Sequence, residues 1–155
     1  MASRETPATR AARAARIAFE VHEYAHDSRA ESYGREAATA LKLDPARVFK
    51  TLVVDLGGSF ATCVVPVESA LDLRALGKRA AMADTGRAEK VTGYVAGGIS
   101  PLGQRKRLPT FVDDSALEHE TIYVSAGRRG LEIELAPQDL VALTAAEVRR
   151  LARGA

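Results

Sequence analysis

Residues 48–67, VFKTLVVDLGGSFATCVVPV, contain two apolar runs of strand length on either side of a glycine pair. The runs span 48–56 and 60–67. Gly57-Gly58 between them is a dipeptide that closes tight hairpin loops, because glycine accepts positive φ angles. We therefore predict that the two runs form an antiparallel hairpin.

Shorter signals on both sides of the hairpin predict further strands and helices. Thr6 followed by Pro7 has the form of an N-cap and first helical residue, which predicts a helix to about residue 17. Thr144, with Glu147 three residues later, predicts a last helix that begins with a capping box. The other predicted elements are strands at 19–24, 108–112, 121–125 and 131–135, the last two joined by a turn at 127–130, and helices from Ser32 or Gly34 to residue 43, at 72–79, after residue 84 and at 137–143. Hairpin strands mixed with scattered helices favour an α+β fold over a regular βαβ array.

Composition bounds the class of protein. The 155 residues are 46% apolar and 27% charged, which suits one domain that spans 1–155 and buries a real core. A net charge of +2 with an isoelectric point of about 8.8 indicates a basic face, which is compatible with nucleic acid but does not require it. No apolar run approaches the roughly 20 residues that span a bilayer, so no membrane partner is expected.

No conventional catalytic group stands out in the sequence. The histidines are His22, His26 and His119, and no HExxH or other metal-binding spacing is present, so we expect no metal and no cofactor. A lone strand histidine such as His22 is more often a structural hydrogen-bonding group than a base. The absence of a Gly-x-Ser-x-Gly elbow argues against a Ser-His-Asp hydrolase. Cys63, the single cysteine, lies mid-strand, where a buried and inert thiol is expected.

Lys50 is a charge that interrupts an apolar strand. Alternation places its side chain on the same side as Val48, Leu52 and Val54, which ought to be buried. Because an unpaired buried ammonium group is costly, the lysine either extends from a sheet edge to solvent or reaches into a polar pocket. The spacing alone does not decide between these interpretations.

Residues 93–108, GYVAGGISPLGQRKRL, join a glycine pair, a Ser-Pro turn and a basic run. Gly97 and Gly98 allow backbone N–H groups to approach a ligand closely, and the proline stiffens the turn that follows. The basic run at 105–107 places three positive charges beside this backbone. Such an arrangement suits a polyanion such as RNA better than a small neutral metabolite.

Together with other segments, this stretch resembles the YbaK-type aminoacyl-tRNA deacylases, freestanding relatives of the editing domain inserted in bacterial prolyl-tRNA synthetases. The resemblance rests on an ordered set of strings over nearly the whole chain rather than on one motif. The strings are VHEYAHD at 21–27, VFKTLVV at 48–54, LDL at 71–73, MAD at 82–84, GYVAGGISPLGQRKRL at 93–108, PTFVDD at 109–114 and IYVSAGRRGLEIEL at 122–135.

The resemblance implies a mixed, largely antiparallel sheet, curved and partly barrel-like, with flanking helices. It also implies a pocket for the aminoacyl group. The implied residues are Lys50, Gly97 and Gly98 for catalysis, Tyr24, Ser100, Pro101 and Glu132 for substrate binding, and Arg105, Lys106 and Arg107 for tRNA binding. At the position of Glu132 the family commonly has aspartate, so the carboxyl group is one methylene longer here.

The activity that the resemblance implies is removal of a wrongly attached amino acid from tRNA. In cysteine-specific members the substrate thiol attacks its own carbonyl and departs as a thiolactone, which explains an enzyme without a nucleophile of its own. We therefore expect a cytoplasmic trans-editing deacylase that removes cysteine from tRNA(Pro), with aminoacyl-tRNA as substrate and prolyl-tRNA synthetase as a partner. Two alternatives stay open: a deacylase for alanyl- or seryl-tRNA that activates water, and a non-catalytic module that binds tRNA or a synthetase.

Overall fold

The computed structural model describes residues 4–26 and 33–154. The helices are α1 (Pro7–Ala14), α2 (Tyr33–Ala40), α3 (Thr85–Thr92) and α4 (Pro137–Thr144), with 3₁₀ turns at Pro45–Arg47, Leu73–Leu76 and Asp114–Glu118. The strands are β1 (Phe19–Glu23), β2 (Phe49–Asp55), β3 (Phe60–Pro66), β4 (Ala70–Leu71), β5 (Ala81–Met82), β6 (Thr110–Asp113), β7 (Ile122–Arg128), β8 (Leu131–Leu135), β9 (Glu147–Arg149) and β10 (Ala152–Arg153).

The strands form three sheets. The largest has the order β5-β2-β3-β6-β9, antiparallel from β5 to β3 and parallel from β3 to β9. A second sheet, β1-β8-β7, is antiparallel, and β4 pairs with β10. These pairings confirm an α+β domain with mixed, largely antiparallel strands. The partly barrel-like curvature stays a prediction.

The hairpin predicted for residues 48–67 is present as β2 and β3. Gly57 and Gly58 have φ angles of 101° and 129°, which a side chain would disfavour. The Asp55 carboxylate accepts hydrogen bonds from both glycine N–H groups, at 2.8 and 3.1 Å. The turn is thus held by the strand that precedes it.

Two buried apolar clusters hold the other elements of the fold against the sheets. The inner face of the β1-β8-β7 sheet packs with α1 and α4, with Ile133 and Leu140 fully buried. A second cluster behind the hairpin contains Cys63 and Leu151. Cys63 is fully buried, which confirms that it is a core residue, and burial raises the pKa of its thiol to about 12, which disfavours the reactive thiolate.

The N-terminal helix is anchored by its cap. Thr6 accepts a hydrogen bond from the N–H of Thr9, as the sequence predicts, and donates its hydroxyl to the carbonyl of Ala126 on β7. The helix ends at Ala14, earlier than predicted, because Arg16 adopts a left-handed φ of 60°. Of the two predicted starts for α2, Ser32 lies outside the described residues.

The prediction of a last helix after Thr144 is wrong. Ala145 has a φ of 53° and ends α4, and the Thr144 hydroxyl donates to the carbonyl of Leu140 instead of capping a new helix. The chain then continues as β9, where Val148 pairs with Val112 of β6. Extension of the large sheet therefore overrides a local capping signal.

The predicted helix at 72–79 is also replaced, by the short 3₁₀ turn at Leu73–Leu76. Gly77, with a φ of 122°, ends this turn, and the Asp72 N–H donates to the carbonyl of Leu151. No helix in the described part of the chain is long and apolar enough to cross a membrane.

Candidate active site

A cavity of about 330 Å³ opens between β2, β5, α3 and the ends of β1 and β8. Four of the residues implied by the resemblance line it: Tyr24, Lys50, Gly97 and Glu132. They come from four separate segments of the chain. The other lining residues are Gly34, Phe49, Thr51, Leu52, Val53, Met82, Ala83, Thr85, Ala88, Ala96, Ile99 and Ser125.

Sheet pairing brings the side chains of Glu132 and Ser125 to one side of the cavity. Glu132 on β8 lies opposite Ser125 on β7. The N–H of Tyr24, just after β1, donates to the carbonyl of Gly130 at 2.9 Å. Because successive residues of a strand point to opposite faces, Glu132 faces the cavity while Leu131 and Ile133 enter the core.

Lys50 supplies positive charge to the cavity. Burial, with a smaller contribution from the nearby Arg35, holds the pKa of its ammonium group below the usual value. No carboxylate of residues 4–26 or 33–154 lies within ion-pair distance of it. A half-buried cation without a counterion attracts negative charge, including charge that develops in a transition state.

Glu132 and Tyr24 are held in their protonated forms. Glu132 is only 6% exposed, and burial raises its pKa to about 8. Burial, followed by the charge of Glu132, raises the pKa of Tyr24 to about 12. At neutral pH, therefore, most Glu132 side chains carry a proton and can donate a hydrogen bond, as can the Tyr24 hydroxyl.

The segment after α3 brings a backbone N–H to the cavity. Gly93 ends α3 with a φ of 81°, and the next turn is fixed where the Ala96 N–H donates to the Glu89 carboxylate at 2.7 Å. Gly97 has a φ of 90°, and its N–H has no hydrogen-bond partner among the described residues. This N–H is available to a ligand.

Gly98 has a structural role in the same turn. Its N–H donates to the carbonyl of Val95 at 2.9 Å, so it is already occupied. A side chain at this position would place its Cβ 2.6 Å from the Cα of Arg128. Gly98 therefore lets the segment pack closely on the β7-β8 hairpin, and it positions Gly97 rather than lining the cavity.

The comparisons with known proteins decide the family. The family described as aminoacyl-tRNA editing domain matches residues 28–143. This chain belongs to that family. A relative from Enterococcus faecalis, with the provisional name Cys-tRNA(Pro)/Cys-tRNA(Cys) deacylase EbsC, is 39% identical over 114 residues, which cover 69% of each chain. Membership confirms the predicted enzyme class, an aminoacyl-tRNA deacylase.

Solved structures agree on the fold of the editing domain. A protein provisionally described as a trans-editing enzyme for prolyl tRNA synthetase superposes with a TM-score of 0.80 at 25% identity, covering 97% of this chain and 99% of the other. A hypothetical protein superposes with a TM-score of 0.85 at 24% identity, covering 96% of this chain and 100% of the other. The second likeness concerns the fold alone.

Two implied substrate-binding residues lie elsewhere in the editing domain. Ser100 is fully buried and holds its own turn, because its hydroxyl oxygen accepts the Leu102 N–H and its carbonyl accepts the Gln104 amide. Pro101 lines a separate hollow of about 160 Å³ between α1 and the end of α4. The structure therefore does not bring Ser100 or Pro101 into the cavity that Lys50 and Glu132 line.

Sequence reasoning missed two hydroxyl groups of the editing domain's cavity. The Thr51 hydroxyl is buried and lacks a hydrogen-bond partner in the described structure. The Ser125 hydroxyl accepts the Gly127 N–H at 3.2 Å and also lines the cavity. No sequence motif marks either hydroxyl group, because Thr51 and Ser125 are ordinary strand residues whose position at the cavity depends on the packing of distant strands.

The basic run packs against the last turn of α3. Arg105, Lys106 and Arg107 are exposed, and the Arg105 and Lys106 N–H groups donate to the carbonyls of Thr92 and Val91 in the last turn of α3. These bonds place the run next to the segment that carries Gly97.

His22 is a structural hydrogen-bonding residue, as predicted. Its Nε2 lies 2.9 Å from a carboxylate oxygen of Glu134, and Glu20 is 3.9 Å away. These three residues also form a group with metal-ligand geometry within the described ranges. Arg47, 3.5 Å from Glu134, and the Thr121 hydroxyl already engage that carboxylate. The group is therefore a charge network on the sheet surface, separate from the cavity.

Proposed function

We propose that the protein is a trans-editing deacylase that removes cysteine from tRNA(Pro), with the thiol of the substrate as nucleophile. One observation carries the proposal: the cavity joins the Lys50 ammonium group, a backbone N–H without a partner and a neutral carboxylic acid, and its described lining contains no cysteine or histidine. Family membership and the provisional names of the relatives point to the same substrate class.

The electrophilic part of the reaction is assigned to Gly97 and Lys50. Attack on the ester carbonyl places negative charge on its oxygen, which the Gly97 N–H binds while the ammonium group of Lys50 stabilises the charge. Removal of one such donor typically costs roughly 10² to 10³ in rate. Gly98, whose N–H is occupied by Val95, acts in this proposal by fixing the turn.

The nucleophile is assigned to the substrate. Among the described residues that line the cavity there is no cysteine or histidine, so the hydroxyl groups of Thr51 and Ser125 have no imidazole beside them to remove a proton. The cysteinyl sulfur forms a bond to its own carbonyl carbon, the bond from that carbon to the ribose 3′ oxygen breaks, and the thiol proton ends on that oxygen. Water then opens the thiolactone to give free cysteine.

Glu132 is assigned to proton transfer and Tyr24 to substrate orientation. A group with a pKa of about 8 exchanges its proton readily near neutral pH, so Glu132 can protonate the departing 3′ oxygen and regain the proton from the thiol. Tyr24, with its pKa of about 12, keeps its proton and serves as a hydrogen-bond donor.

The tRNA is assigned to the basic run at 105–107, beside the cavity. Phosphate contacts made there would weaken as salt concentration rises. Prolyl-tRNA synthetase is the proposed partner that releases or presents the mischarged tRNA, which places the reaction in the cytoplasm.

The deciding experiment compares cysteinyl-, seryl- and alanyl-tRNA(Pro) as substrates of the wild-type protein. We expect fast release from cysteinyl-tRNA and severely slower release from seryl-tRNA, because a hydroxyl is a far weaker nucleophile at neutral pH. Trapping of the thiolactone with an amine would identify the intermediate. Equal rates for cysteinyl- and seryl-tRNA would refute substrate assistance and favour water activated by Glu132. Binding without any cleavage would indicate a non-catalytic module.

A further inference from the structure

Two exposed apolar side chains belong to segments that line the cavity. Large exposed apolar side chains among the described residues are Met82, which is 49% exposed, Val95 at 74% and Leu117 at 45%. Met82 lines the cavity, and Val95 directly precedes Ala96, which also lines it. Single exposed apolar residues are common on protein surfaces, but two in the segments that line one cavity call for an explanation.

Both side chains are attached to backbone that is held by hydrogen bonds. Met82 lies in β5 and is paired with Val54, and the next N–H, of Ala83, donates to the carbonyl of Val53 at 3.0 Å. The carbonyl of Val95 accepts the Gly98 N–H. Met82 therefore lies on a paired strand and Val95 in a hydrogen-bonded turn, and both segments contribute to the lining of the cavity.

We propose that Met82 and Val95 form a binding site for the adenine base at the 3′ end of the tRNA. The inference rests on the proposed function, since the amino acid is esterified to the ribose of that terminal nucleotide. When the aminoacyl group enters the cavity, its adenine has to lie at the mouth. Single-stranded bases expose apolar ring faces, and thioether and aliphatic side chains pack against such faces.

Charge around the mouth fits this occupant. Val95 belongs to the segment that begins at Gly93, and the side chain of Arg105 packs there: a Cβ added to Gly93 would lie 3.2 Å from the Cβ of Arg105. The base can rest on the apolar rim while the preceding phosphates reach the basic run. Two side chains are too small an area for a stable protein interface, which needs roughly 1,000 Å² or more.

The test measures binding of uncharged tRNA(Pro), with and without its terminal adenosine, to the wild type and to a variant that carries Met82→Ser and Val95→Ser. Loss of the adenosine should weaken binding to the wild type by about 5- to 150-fold, the range for one stacked base. The double variant should bind intact tRNA as weakly as the wild type binds truncated tRNA, and it should not distinguish the two RNAs. Leu117→Ser, at an exposed apolar residue outside the cavity, is the matched control and should behave as wild type.

Three outcomes would overturn the site. These are equal binding of both RNAs by the wild type, discrimination by the double variant equal to that of the wild type, and loss of prolyl-tRNA synthetase binding by the double variant while the adenosine effect is kept. The assay uses uncharged tRNA, so it reports on the base site even if the deacylation experiment fails. A folded double variant is verified by an unchanged melting temperature.

Discussion

Replacement of Glu132 by Gln tests the buried carboxyl group through the pH dependence of stability. The unfolded chain loses this proton near the ordinary pKa of 4.5, and the folded protein loses it near 8. Between these values the folded state holds a proton that the unfolded state has released, so the free energy of unfolding falls as pH rises. Glutamine has no titrating proton, so the free energy of unfolding of the variant does not fall with pH for this reason.

The size of the effect follows from the two pKa values. From pH 5 to pH 7, the stability of Glu132→Gln relative to wild type should rise by about 2 to 3 kcal/mol. For a chain of this length that corresponds to a relative shift in melting temperature of roughly 4 to 12 °C. Thermal and urea unfolding of both proteins at pH 5, 6, 7 and 8 measures it, and the difference between them cancels the other titrating groups.

Glu134→Gln is the matched control, two residues along the same strand. Although burial alone would raise it, hydrogen bonds from Thr121 and His22 hold the pKa of Glu134 below the usual value. Its carboxylate contributes stability that is present above the unfolded pKa and lost as pH falls, so this variant should be less stable than wild type at pH 7, with a gap that narrows toward acid. A difference between wild type and Glu132→Gln that stays flat from pH 5 to pH 8 would refute the neutral carboxyl group.

Three further predictions concern single side chains. Lys50→Ala should lower deacylation by roughly 10²-fold with an unchanged melting temperature, because this half-buried cation has no carboxylate partner among the described residues and so adds charge to the cavity rather than stability. Lys78→Ala, at an exposed lysine, is the control, and near-wild-type turnover of Lys50→Ala would remove Lys50 from the site. Glu89→Ala should lower kcat more than it raises KM, because it removes the acceptor of the Ala96 N–H and loosens the turn that presents Gly97. Glu89→Gln keeps an acceptor and should restore much of the rate. Equal kinetics for the two variants would contradict a positioning role. Asp113→Ala should destabilise the fold by about 3 kcal/mol, because the N–H groups of the buried Leu151 and the half-buried Ala152 lose their acceptor. A loss of less than about 1 kcal/mol in urea unfolding would count against this anchor.

Signals that are local in sequence predicted the fold best. The hairpin depends on two apolar runs and the glycine pair, and the N-cap of α1 depends on Thr6 and Pro7, so neighbouring residues contain the information. The capping signal at Thr144 is equally local, yet Val148 pairs with Val112, which lies 36 residues earlier in the chain. Such distant pairings are not visible from one sequence.

The site was predictable to a similar extent. Lys50 is conspicuous because it breaks an apolar strand, and the glycine pair marks a close backbone approach. The sequence does not reveal which of the two glycine N–H groups is available, because that depends on the turn in which Gly98 bonds to Val95. It also cannot place Ser100, whose hydroxyl turns inward to its own segment.

The C-terminal strands have a consequence for how the protein is cut and expressed. The family match ends at residue 143, whereas β9 covers one edge of the large sheet and the fully buried Leu151 completes the cluster behind the hairpin. A fragment trimmed to the matched region would leave β6 as an open strand edge beside an uncovered apolar surface. Open edges of this kind recruit other chains, so the fragment should aggregate where the longer protein stays dispersed.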